Sequence, residues 1–226
     1  MTAFRDPTVR VWPSTLIPNE VSVKVERAAI TGAPVLYGRP QTVLSSAGGW
    51  RIIYSDVAFT GRNYGLYRQM IAALAGSLEP IYVSTFPSLY APFQRAQVTR
   101  PITNNFTSGF GFTSGFGFAS STSDCTLAAN VALGATTISV NNSATAPVAV
   151  GDFFELGGRL HLLKDISGTT WTIWPPTRAA YSSGDVLEID DPRMLAYLDP
   201  GSAAFNPSVQ FGALGSASFE FVEARW

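Results

Sequence analysis

The chain has 226 residues, 46% of them hydrophobic and only 14% charged, with a formal net charge of −1. A charged fraction this far below the usual quarter supplies no basic surface for gripping nucleic acid and suggests that partners cover part of the molecule. The length allows one large β domain or two smaller ones, and a single cysteine, Cys125, excludes an intramolecular disulfide and points to a reducing compartment.

The first residues, MTAFRDPTVRVWP, lack the apolar core of a signal peptide, and no run approaches the ~18 apolar residues of a membrane span. Neither a signal nor a span is expected. Val21, Val23 and Val25 alternate with Ser22, Lys24 and Glu26, as in a half-buried strand. Gly32, Pro34, Gly38 and Pro40 keep any strand between 28 and 47 short or at a sheet edge. A second strand, 50–57, follows a turn signal at Gly48-Gly49.

One helix is predicted, over about 63–78. Tyr67, Met70, Ile71, Leu74 and Leu78 recur at helical spacing and form one apolar stripe. Asn63 is placed to cap its start, and Pro80 blocks continuation. A helix this short is marginal alone in water, so a sheet must cover the stripe. Ile81-Tyr82-Val83-Ser84 then reads as a strand.

Residues 104–124 change character and read as a connecting loop. They include FTSGFGFTSGFGFASS, in which the hexapeptide TSGFGF occurs twice in tandem. In an extended chain Phe106, Phe110, Phe112, Phe116 and Phe118 all fall on one side, leaving Thr and Gly on the other. A one-sided aromatic strip needs a cover, so these five are the candidate residues for contact with a neighbouring subunit or partner.

Residues 125–191 read as a separate all-β module. Strands are predicted at 136–140, 153–156, 159–163, 171–174 and 185–189, separated by turns that include Gly157-Gly158 and Ser167-Gly168. Short strands with glycine turns suit a small closed barrel. The alternation of 216–223, at the end of the chain, needs a sheet to join. Its natural host is the first region, which makes the barrel an insertion into a domain built from both ends of the chain.

Chemistry is sparse. His161, the only histidine, lies in RLHLL opposite Leu160 and Leu162 and reads as a solvent-facing strand residue without a nucleophile beside it. One His and one Cys exclude the usual zinc sites, and no calcium-loop, nucleophile-elbow, dinucleotide or phosphate-loop spacing is present. Asp152 and Glu155 could in principle act as a glycosidase pair, but Gly151-Asp152 reads as a turn entering a strand. Exposed Trp171 and Trp174 could stack on a sugar. On a regular strand, however, they face opposite sides. No catalytic, cofactor-binding or metal-binding residue is assigned, and no cofactor is expected.

The stretch GDFFELGGRLHLLKDISGTTWTIWPPTRAAYSSGDVLEIDDP resembles a module of tailed-bacteriophage tail proteins. The shared elements are Gly151-Asp152, Gly157 to His161, Ile173-Trp174-Pro175, and Arg178-Ala179-Ala180 before Gly184. In the first half, paired strands, a Gly-Gly-Trp-Arg strand, one helix and a further strand are similar to the distal tail protein family. The closing Phe219 to Ala224 resembles that family's terminal strand.

The resemblance implies a mainly β protein with two parts. A β-sandwich base domain with one packed α-helix would comprise 1–103 and 192–226, and 125–191 would be an inserted, OB-like β-barrel. It further implies a non-enzymatic virion protein of the tail tip, assembled in the host cytoplasm. Six copies would form a ring between the tail tube protein and the tail-tip hub protein. DNA would pass through the lumen without specific binding. The alternative is a carbohydrate-binding module that attaches to a host-surface glycan.

Overall fold

The computed structural model describes residues 8–26, 29–31, 42–44, 48–74, 79–85, 125–142, 148–189, 191–202, 208–210 and 214–224. Among these the chain is mainly β with a single helix, α1 (Gly61–Ala73). That helix is not long and apolar enough to cross a membrane.

The first sheet is built from both ends of the chain. It uses β1 (Arg10–Val11), β2 (Glu20–Glu26), β5 (Gly49–Thr60), β6 (Ile81–Ser84), β13 (Arg193–Leu198), β14 (Ser208–Gln210) and β15 (Leu214–Glu223). The order across it is β1-β6-β13-β15-β5-β2, with β14 paired to the early part of β15. Only the β1–β6 pair is parallel. Between β2 and β5, β3 (Ala29–Thr31) and β4 (Thr42–Leu44) form a separate short hairpin ladder, as the Gly- and Pro-rich composition there predicts.

A β-bulge keeps one face of this sheet apolar. Tyr54 pairs with Phe219 and Val57 with Ala217, so β5 carries one residue more than β15 between those pairs. Asp56 takes the left-handed conformation there (φ 49°), and its N–H donates to Ser218 Oγ at 3.2 Å. The extra residue shifts the inward positions from Trp50, Ile52 and Tyr54 to Val57 and Phe59, all of which are buried. Strict alternation along β5 would have turned half of this strand inside out.

The buried face holds the core. Ile52, Tyr54, Phe219, Phe221, Ile81, Val83, Met194 and Leu198 pack with Trp12 and Leu16 and with Tyr67, Met70 and Leu74 of the helix. Trp12 meets Tyr54, Phe219 and Phe221 edge-to-face at 4.7–5.5 Å, and its indole N–H donates to Leu16 O. Tyr67 stacks on Phe59 at 4.7 Å. Burial fades along β2, from Val21 at 4% exposure to Val25 at 46%.

The helix departs from the sequence reading at both ends. Thr60, still extended (φ −97°, ψ 170°), is the N-cap, and it makes no side-chain capping bond. Asn63 lies inside the first turn, because β5 runs directly into the helix and fixes its start. The helix stops at Ala73 with Leu74 as C-cap, well before Pro80, and 75–78 lie outside the described residues.

On the outer face, Arg51 is ringed by Asp199 (2.8 Å), Glu220 (2.7 Å) and Glu26 (3.0 Å). Hydrogen bonds to these carboxylates, Glu220 foremost, hold its guanidinium further above its ordinary pKa. The group is partly solvated, so the cluster contributes to register more than to stability.

The second sheet has six strands in the order β12-β9-β10-β11-β8-β7. They are β7 (Cys125–Leu127), β8 (Thr137–Asn142), β9 (Phe153–Leu156), β10 (Arg159–Ser167), β11 (Thr170–Trp174) and β12 (Leu187–Glu188). The edges nearly meet: Thr126 bridges Val186, Leu127 N–H donates to Asp185 O, and Gly184 N–H donates to Leu127 O. This closes the sheet almost into a barrel around Leu127, Val140, Phe154, Leu156, Leu163, Trp171 and Ile173.

Phe219 touches Trp12, Tyr67 and Phe221 in the main core. Phe219→Ala is expected to cost about 3–5 kcal/mol, read as a lower urea midpoint with an unchanged slope.

Candidate functional site: the joint between the two sheets

The strand RLHLL is covered on both sides. In β10, Leu160 and Leu162 face the first sheet, while His161 and Leu163 point into the barrel. The same division holds across β9 and β11, where Phe153, Glu155 and Trp174 face the first sheet, and Phe154, Trp171 and Ile173 face the barrel interior. A strand buried on both faces reads as a nearly continuous apolar run. His161 is therefore not solvent-facing: it is 0% exposed, stacked on Phe154 with ring centroids 5.4 Å apart.

Trp50 is the centre of the contact. Its ring meets Trp174 edge-on (4.7 Å, 87°) and Phe153 (5.2 Å, 78°), and its indole N–H donates to Leu160 O at 2.8 Å. The Trp50 backbone N–H donates to Glu223 Oε2 at 3.1 Å. That carboxylate has no exposed side-chain surface and pairs with Arg178 at 3.1 Å. Arg178 also donates to Gly48 O at 2.6 Å, and Arg159 donates to Ala224 O.

Backbone pairing completes the joint. At Leu195, β13 is met both by Ala224, whose N–H donates to Leu195 O at 2.9 Å, and by the β9–β10 turn. Leu195 N–H donates to Gly158 O at 3.0 Å, and Arg193 N–H donates to Glu155 Oε2 at 2.8 Å. Gly158 has φ +80°, and a Cβ there would lie 2.8 Å from the Tyr82 ring. At Gly48 a Cβ would lie 2.7 Å from the Trp174 ring. Both positions need glycine for close approach.

Thr85 N–H donates to Pro192 O at 3.1 Å. The segment leaving the first sheet thus departs beside the segment that returns to it. Ser84 Oγ donates to Asp191, which is also paired with Arg193.

The sequence candidates separate. Asp152 closes a turn, its Oδ2 accepting from Ala149 N–H at 2.9 Å. Glu155 is buried at 3% exposure and turned toward β13, so the two carboxylates serve different contacts. Trp171 is a barrel core residue at 1% exposure, and Trp174 is half-buried against Trp50. Phe106, Phe110, Phe112, Phe116 and Phe118 lie outside the described residues. No group of His, Cys, Asp and Glu among the described residues could hold a metal ion.

Sequence reasoning missed Trp50, Arg178 and Glu223 as a set. Their signals were weak and scattered: a Trp after a Gly-Gly pair, an Arg after two prolines, a Glu closing an alternating strand. No protein-family model matches this chain, and no curated protein sequence matches it either.

Glu223→Ala removes the buried carboxylate that accepts from Trp50 N–H and pairs with the part-buried Arg178. The expected loss is about 3–5 kcal/mol in urea unfolding at neutral pH, with Glu223→Asp recovering part of it.

Proposed function

We propose that the chain is a structural subunit of a bacteriophage tail tip, a distal tail protein that assembles into a ring between tail tube and tail-tip hub. In this reading copies of the first sheet form the ring, hexameric as the resemblance implies, and each carries its barrel as an attached module. The chain is non-enzymatic and resides in the virion after assembly in the host cytoplasm.

The joint is the observation that carries this reading. Its aromatic cluster, buried ion pair and backbone bonds hold the barrel to a sheet made from both chain ends. Groups that could do chemistry are occupied with cohesion: Glu155 holds β13, His161 is packed inside the barrel, and Asp152 shapes a turn. A module held fast to its sheet is what an assembly subunit requires. Low overall charge suits flanks covered by copies, since a closed ring gives each subunit two neighbours.

The five phenylalanines of 106–118 are proposed as contacts to a neighbouring subunit or tail component, on the strength of their shared register in an extended chain. A glycan-binding barrel is less well supported, because Trp171 is buried and Trp174 is set against Trp50.

Native mass spectrometry and negative-stain microscopy of the purified chain, alone and with tail tube and hub proteins, test the proposal. Sixfold particles of the 24.2 kDa subunit are expected, and Phe112→Ser with Phe116→Ser is expected to weaken them. A chain that stays monomeric at high concentration and ignores both tail components would overturn it.

A further inference from the structure

The two sheets differ in how far apart their pairing partners lie in the chain. In the barrel, β9, β10 and β11 pair in sequence order, and β7, β8 and β12 join them from within 125–189. The first sheet lacks such local pairing at its centre. Its N-terminal strands form two separate pairs, β1 with β6 and β2 with β5, and among the described strands only β13 and β15 connect them. Trp50 and Glu223, which meet at the end of the β5–β15 ladder, are 173 residues apart in sequence. Two-stranded pairs are marginal alone in water, and long-range pairings close slowly.

β13 is the strand that the barrel can place. Only residues 190–192 separate Ile189, in the barrel core, from the start of β13 at Arg193. The barrel also offers that strand two acceptors. Arg193 N–H donates to Glu155 Oε2 at 2.8 Å, and Leu195 N–H donates to Gly158 O at 3.0 Å. Gly158 lies close against the Tyr82 ring of β6, the strand that pairs β13 on its other side. In an unfolded chain, bringing Ser84 to Arg193 closes a loop over all of 85–192. With the barrel folded and β13 held beside it, the connection still to be closed is 85–124, at a lower entropic cost.

We propose that the barrel is the template on which the first sheet closes. The barrel folds first and holds β13 through Glu155 and Gly158; β15 pairs with β13, and β6 and β5 then join from the two sides. Residues 8–84, although they precede the barrel in the chain, reach their final pairing after it. The completed first sheet is then offered to a partner only once the barrel is built, which sets an order on assembly whatever the chain assembles with.

Pulse-labelled hydrogen exchange during refolding of the full chain from urea tests this. The amides of Val140, Leu163 and Ile173, bonded within the barrel, are expected to gain protection first. Those of Arg193 and Leu195 follow, and those of Trp12 and Asp199, bonded to Tyr82 O and Glu220 O in the first sheet, come last. Glu155→Ala, which removes the acceptor of Arg193 N–H, is expected to slow the last phase about tenfold and leave the barrel phase unchanged. First-sheet amides protected before the barrel's or together with them would overturn the template, as would a Glu155→Ala chain in which the last phase keeps its rate or both phases slow alike. Should that variant not fold, the order of protection in the wild-type chain decides by itself.

Discussion

The ladder between β5 and β15 is the constraint on which the rest of the structure depends. It joins residues 51–60 to residues 214–222, pairing Arg51 with Val222 at one end and Thr60 with Leu214 at the other. Phe219 and Phe221 enter the core because β15 is held in that register, and the helix is covered because β5 leads straight into it. A slip of one residue would turn Phe219 and Phe221 outward and Glu220 inward. The bulge at Asp56 is the local adjustment that lets a long strand keep a single buried face.

The same ladder places the joint. Trp50 lies at the start of β5 and Glu223 ends β15, so pairing the two strands brings the Trp50 N–H to the carboxylate. At the end of β15, Leu195 of β13 accepts from Ala224 N–H and donates to Gly158 O of the barrel turn. A buried carboxylate is tolerated here because an arginine from the barrel and a backbone N–H from the sheet both meet it. The barrel's attachment and the sheet's closure are thus linked: the Arg178–Glu223 pair joins one part to the other.

Much of the local structure was legible from the sequence. Alternation in 20–26, the Gly157-Gly158 turn, the helical stripe and five of the six barrel strands are short-range patterns set by the geometry of the backbone. The Trp171/Trp174 division followed from the two-residue period alone, and the structure puts the two rings on opposite faces of β11. β13 escaped notice even though Met194, Ala196 and Leu198 alternate inward, because RMLAYL follows an Asp-Asp-Pro stop and is short. β7 escaped too: three residues, Cys125–Leu127, carry no period.

What the sequence determined by itself was class and parts: a β-rich chain with one helix, a compact second β unit, and little that resembles a catalytic set. What only the tertiary structure decided was burial on the second face of a strand. His161 looked solvated because an alternating strand ordinarily has a wet side, and its wet side was taken by the barrel's own interior, with the first sheet against the other. Likewise Trp50, Arg178 and Glu223 are far apart in the chain, and no local pattern encodes a contact between them. Short-range sterics write periodicity into a sequence; which long-range surface covers each face is settled only when the strands pair.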